Sequence, residues 1–494
     1  MDEILPKLLA FPPHPSPLTP LSDAAYEEGI KSQIATVKSI SEAKLIQKTS
    51  SDENALDIIN PSLNTVSFAF VLLANINTIL KGNDKQMDIE TLWNHITTFL
   101  SNFDGRQIRY LGHELSNIID AAISIARRHN QIPLVIPHIR DALLGLDPSG
   151  TVLTSKHIQL LKLVMETQSY DAVVPIIEKT ILYIPGASEQ PKPKHISSIA
   201  LSPPSYVTPE SGITAKKLKV PEVLEYLFLC GTIYVGLRDW ANAKRCFEVA
   251  VTYPARETSC SKIMAEAYKR WLLVSVLLDG KVPLLPRATS SGAAKMYHVV
   301  AKPYETLAQI FEHGSAFRLK QEADAGNSVW QGDANFYLVL TVLAGHQQFQ
   351  IKHLANVYSK ISIADIHAQT MSAETGTRLP HVQAVETMVQ MMIANGSLNA
   401  TLSYPPNQSP VVAFSQEGPV LTEQQMKGAL ASASSQIKEL ILETKTTDRL
   451  MTYEKEYVKY IQKMKKNSKN LDQGIAGNDL DWNGVEDEDL MGGF

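Results

Sequence analysis

The chain has 494 residues, 44% of them hydrophobic, with 46 basic against 51 acidic side chains and a formal net charge of −5. Domains run about 100–200 residues, so two to four folded units are expected, and the missing basic excess argues against a general nucleic-acid binder. Cys230, Cys246 and Cys260 are too few for a disulfide framework, and no pair has metal-ligand spacing.

The N-terminus is acidic (Asp2, Glu3) and interrupted by Pro6, unlike a secretory signal. Pro12, Pro13, Pro15, Pro17 and Pro20 make residues 1–25 read as a loose arm. Residues 26–183 read as helical repeats. Leu115, Ile118, Ile119, Ala122, Ile125 and Ala126 recur at helical spacing, and strand-like alternation is absent. One of the most apolar runs, 68–74, is about a third of a membrane span. Asn75 and Asn77 follow it, so a soluble intracellular protein is expected. Between 184 and 220 the composition shifts. Pro185, Pro191, Pro193, Pro203, Pro204 and Pro209 fall among Ser, Lys and Thr, which predicts a long disordered loop.

Helical pattern resumes over 221–345, with a break at Pro283, Pro286 and the Ser290, Ser291, Gly292 cluster. Gly231, Tyr234, Ala243, Phe247 and Ala250 fall in register with the small and aromatic positions of a tetratricopeptide-like hairpin. Small residues let two helices approach and aromatics fill the space beside them. A weaker copy spans 160–180, with Tyr170 in its turn. An ordinary amphipathic helix pair would show the same period; either way, paired helices stack into a solenoid.

Residues 346–416 change character. A helix over 347–359, a short strand at 361–363, a helix over 364–370, a third helix over 380–394 and a hairpin (398–402 with 411–414) follow in the order of a winged helix. Gly396 stands where a C-cap glycine belongs. The expected interface residues of this unit are Ile361, Ile363, Leu398, Asn399, Thr401 and Leu402, because an edge strand can pair with a neighbour. Proline at Asn399 or Thr401 is the natural test of such pairing. From 423 to 466 one long helix is predicted. Leu430, Ile437, Leu440, Met451, Val458 and Ile461 fall near a 3.5-residue period, although Thr447 and Glu454 interrupt it. Such a stripe implies a partner helix or bundle. Lys463, Lys465, Lys466 and Lys469 end it, and 470–494 reads as an acidic disordered tail.

Catalytic motifs are near-misses. His113 and Glu114 begin like a zinc-protease helix, but Asn117 replaces the second histidine. Gly280, Lys281 and Val282 lack the rest of a phosphate loop. Asp479, Asp481, Asn483 and Gly484 match half of a calcium loop, but Leu490 stands where the bidentate glutamate belongs. No catalytic residue, metal or cofactor is expected. The third winged helix carries no Lys or Arg and one acid, Glu386, so it is ill suited to a DNA groove.

A helical solenoid, a neutral winged helix and a long terminal helix resemble a PCI-domain subunit, a family shared by the proteasome lid, the COP9 signalosome and a translation initiation factor. Three stretches are similar to the family of third subunits of the signalosome. They are Gln107 to Tyr110, residues 231–250, and residues 262–282, whose Tyr268, Lys269 and apolar run 272–278 are the most distinctive. The resemblance covers about 104–465 and departs in the 184–220 loop and the acidic tail. It implies a non-catalytic scaffold in a hetero-oligomer that removes Nedd8 from the cullins of ubiquitin ligases. The winged helix would meet the first and eighth subunits, and the terminal helix would join a shared bundle. No nucleic acid, membrane or cofactor partner is implied, and the location would be cytoplasm and nucleus. The alternative is the equivalent scaffold of the proteasome lid.

Overall fold

The computed structural model describes residues 1–13, 21–80, 87–186, 193–199, 201–214, 218–254, 260–406, 409–415, 423–453, 458–459 and 462. They are mostly helical, as the sequence predicts. The N-terminal part holds α1 (Leu5–Leu8), α2 (Asp23–Lys38), α3 (Glu42–Leu45), α4 (Ala55–Ile58), α5 (Thr65–Leu80) and α6 (Ile89–Ser101). A 3-10 turn, Ile108–Tyr110, leads into α7 (Gly112–Arg128), α8 (Ile132–Leu146), α9 (Ser155–Thr167) and the short α10 (Val174–Ile177). The central part holds α11 (Val220–Gly236), α12 (Trp240–Val251), α13 (Lys262–Asp279), α14 (Ser291–Val300), α15 (Lys302–His313), α16 (Ala316–Ala325), α17 (Asn327–Gly332) and α18 (Phe336–Leu354). Then come β1 (Lys360–Ser362), α19 (Ile363–Gln369), α20 (Val382–Ala394), β2 (Ala400–Ser403), β3 (Val411–Phe414) and α21 (Glu423–Tyr453).

The chain divides into two compact units, Met1–Gln390 with Tyr404–Val411, and Met391–Ser403 with Val412–Phe494. In the first, helices pack on their sequence neighbours: α5 on α6 and α7, α8 on α9, α9 on α11, α11 on α12, α12 on α13, and α13 on α15 and α18. This is the stacking of a solenoid, in which each pair buries its apolar stripe against the next. One continuous buried cluster results, running from Leu8 to Ala373. The short strands form one sheet of order β1-β3-β2. In the second unit, Met392, Leu398 and Val412 are buried and α21 is the long element. No helix of the described residues is long and apolar enough to cross a membrane.

Three expectations need correction. The start of the N-terminal arm is anchored to the helical body, while residues 14–20, with Pro15, Pro17 and Pro20, lie outside the described residues. Leu8 and Phe11 are buried. The Gln33 side-chain amide donates to the carbonyls of Lys7 and Leu8, and Asn64 donates to that of Phe11. Proline content misled here because it removes donors, while carbonyl acceptors stay available to side chains elsewhere. Second, the copy at 160–180 does not form a full helical pair. After α9 the chain makes a 3-10 turn, Tyr170–Val173, and only the four-residue α10. Third, the described parts of the 184–220 loop are packed, with Ser197, Tyr206, Val207, Ile213 and Thr214 all buried. The predicted helix end beyond Tyr453 lies largely outside the described residues, and the acidic tail wholly so.

Candidate assembly surfaces

The five residues of the repeat pattern meet between α11 and α12. A Cβ built on Gly231 would stand 2.6 Å from the Phe247 ring, so only glycine admits this crossing. Phe247, Ala243 and Ala250 are fully buried, Tyr234 nearly so, and Phe228 meets Phe247 edge-on. Burial also pushes the Cys230 thiol well above its ordinary range and Cys246 up to about 11. Both therefore remain neutral thiols in the packed interior. These residues form the body that carries the surfaces; they are not themselves a surface.

The winged-helix residues separate into two sets. Ile361, Ile363 and Leu398 are each buried within the chain itself, so they offer no contact to a neighbour. This corrects their place in the predicted interface; their apolar alternation reports core and not contact. Asn399 and Thr401 are exposed and Leu402 half-buried. Strand β2 occupies an edge of the sheet. The Ser415 amide donates to the Asn399 carbonyl at 2.9 Å. Backbone polar groups alternate in direction along an antiparallel strand. Residue 401 therefore turns toward β3 with 399, and the amides of Ala400 and Leu402 turn to the open edge.

Helix α21 offers an extended apolar surface. Its exposed side chains include Met426, Leu430, Ile437, Leu440, Ile441 and Leu442, which stay between 49% and 67% exposed. Of the other predicted stripe residues, Val458 is 37% exposed, the Met451 side chain is not described, and Ile461 lies outside the described residues.

The sequence did not reveal the clasp that fixes the 184–220 loop. Arg109 donates through one guanidinium nitrogen to the carbonyls of Ile196 and Ser198, at 2.9 and 2.7 Å, and lies over the Tyr206 ring at 4.0 Å. Arg106 donates to the Ser197 carbonyl and to the Asp23 carboxylate. The Ser197 hydroxyl donates to the Asp23 carbonyl, and the Tyr206 hydroxyl to that of Leu146. His195 Nδ1 stands 3.0 Å from the Glu27 carboxylate. Gly112 lets Ser211 and Ile213 approach so closely that any Cβ would collide with them. The visible signal was the lone aromatic Tyr206 in an otherwise polar, proline-rich run.

The comparisons agree with this architecture. A family described as COP9 signalosome complex subunit 3, N-terminal helical repeats, matches residues 29–292. The COP9 signalosome complex subunit 3 of Neurospora crassa is 34% identical over 100% of this chain and 99% of its own length. The protein of the same name from Emericella nidulans is 29% identical over the same shares. That of Dictyostelium discoideum is 26% identical over 71% of this chain and 73% of its own. Nothing in these matches favours a proteasome-lid subunit. With a matching repeat region and a relative similar from end to end, the chain belongs to the COP9 signalosome subunit 3 family.

Proposed function

We propose that this chain is a non-catalytic scaffold subunit of a COP9 signalosome, the assembly that removes Nedd8 from cullins, working in cytoplasm and nucleus. In this reading β2 and its surroundings meet the first and eighth subunits, and α21 enters a bundle with helices of the others. The observation that carries it is the exposure of α21. Fully burying one Leu, Ile or Met side chain is worth about 1.5–3 kcal/mol. A 31-residue helix that leaves Leu430, Ile437, Leu440 and Ile441 about half exposed is built to be covered. The relatives' shared name and the paired-helix body support the same reading.

The test is deletion of residues 423–466 in the tagged full chain, expressed in its native cell. The expected result is a chain with an unchanged thermal transition for its helical body that recovers the other subunits at least several-fold less well. Recovery of the whole assembly at normal yield would remove α21 from the bundle. A tagged intact chain that brings down proteasome-lid subunits instead would overturn the assignment itself.

A further inference from the structure

A groove of about 540 Å³ lies on the N-terminal repeats, bounded by the end of α2, by α3, and by the outer faces of α5 and α7. Its floor is apolar: Ile40, Phe70, Leu73 and Leu80 line it and remain partly exposed. Its rim is acidic. Among the described residues that line it, Glu42, Glu114 and Asp120 stand against one amine, Lys38, which leans over the Phe70 ring and lies 3.8 Å from Glu114. From Phe70 to Leu80 the floor follows α5 for ten residues, about 15 Å at 1.5 Å per residue. That length suits apolar anchors at i, i+3 or i+4 and i+7 of a short helix.

We propose that this groove docks a short amphipathic helix of a partner subunit, with apolar side chains on Phe70, Leu73 and Leu80 and Lys or Arg residues toward Glu42 and Asp120. Shape gives the helix and charge gives its sign. Three carboxylates stand against Lys38 on the rim and Lys156 behind Asp120, which leaves these described residues net negative and favours a basic ligand over an acidic one. Asp120 keeps its bond to Lys156, whose amine sits at 2.6 Å, and still presents an exposed carboxylate edge. The inference rests on the scaffold reading, because it requires a partner polypeptide in the assembled complex.

A benzophenone-bearing amino acid placed at Leu73 in the full chain, within the purified complex, tests it. A second placement at Ser124, exposed on the α7 wall, covers the case in which position 73 tolerates no change. Ala35, exposed on α2 and outside the groove, is the control. Irradiation is expected to give an adduct at 73 or 124 at least five-fold above that at 35. The captured peptide should be sequenced as net basic with apolar residues at helical spacing. Glu42→Lys should lower the adduct several-fold without changing the melting temperature. Adducts no stronger than the control, or an acidic captured peptide, would overturn the proposal. Co-purification of the other subunits reports separately on the scaffold reading, so the two failures are distinguishable.

Discussion

At the scale of single residues, Gly231 reverses an ordinary rule. In a helix interior, alanine is favoured over glycine by about 1 kcal/mol. Here the added Cβ would meet the Phe247 ring at 2.6 Å, and that ring is fully buried. Overpacking costs about 1–3 kcal/mol, so Gly231→Ala is expected to lower stability on balance. Gly428 of α21 meets nothing within 4 Å, so Gly428→Ala should raise helicity instead. Thermal melts of both variants check the opposite signs, and adding Phe247→Leu should recover part of the first loss.

His157 gives a second residue-scale expectation. Its ring is buried, and burial lowers its pKa to about 4. Its Nδ1 faces the Thr154 amide at 3.2 Å, a contact that needs an unprotonated nitrogen. In the unfolded chain the imidazole titrates near 6.5. Between those values the unfolded state holds the extra proton, so stability falls as pH drops through that window and is unaffected above it. The full loss is about 3 kcal/mol by pH 4. Urea titrations from pH 7 to 4 should show this slope, and His157→Asn should reduce it while His346, also lowered to about 4 by burial, keeps its own share.

At the scale of elements, the hairpin register moves the proline test. The Asn399 carbonyl is engaged by Ser415, and residue 401 faces β3, so Thr401→Pro should damage the chain's own hairpin and lower its melting temperature. Ala400→Pro removes an outward amide instead. It should leave the melt unchanged and weaken pull-down of the neighbouring subunit several-fold. Normal pull-down by Ala400→Pro would remove β2 from the interface. The paired helices and winged-helix order were legible because periods of 3.6 and 2 are local signals. β1 and β3 emerged within a residue or two of their expected positions. Register was not legible, since it depends on which amide meets which carbonyl. The short α10 was hidden as well, because Val173, Ile176 and Ile177 are buried and apolar whether or not a full helix forms.

At the scale of the whole molecule, the loop clasp was the largest feature that sequence could not show. Its bonds join residues 60 to 174 positions apart in the chain, and most end on carbonyls, which every residue carries alike. Composition therefore read disorder where long-range pairing creates order. Arg109 is the residue to test. One guanidinium nitrogen holds two carbonyls while the planar group stacks on Tyr206, a stacking that an ammonium cannot reproduce. Arg109→Lys should destabilise the N-terminal repeats by about 1–3 kcal/mol and open the 193–214 segment to protease. A cleavage rate equal to that of the unaltered chain would show that the remaining anchors suffice.

The same clasp sets a clock on synthesis. Glu27 and its partner His195 are separated by 168 positions. At about 5–20 residues per second, the N-terminal helices emerge from the ribosome roughly 10–30 s before the segment that closes over them. During that interval Arg106, Arg109 and Asp23 lack their later partners, and the buried place of Tyr206 stands open to water. The first repeats of this chain therefore mature in two stages: they stack as they are made, and they are sealed only after the ribosome has added 168 residues beyond Glu27.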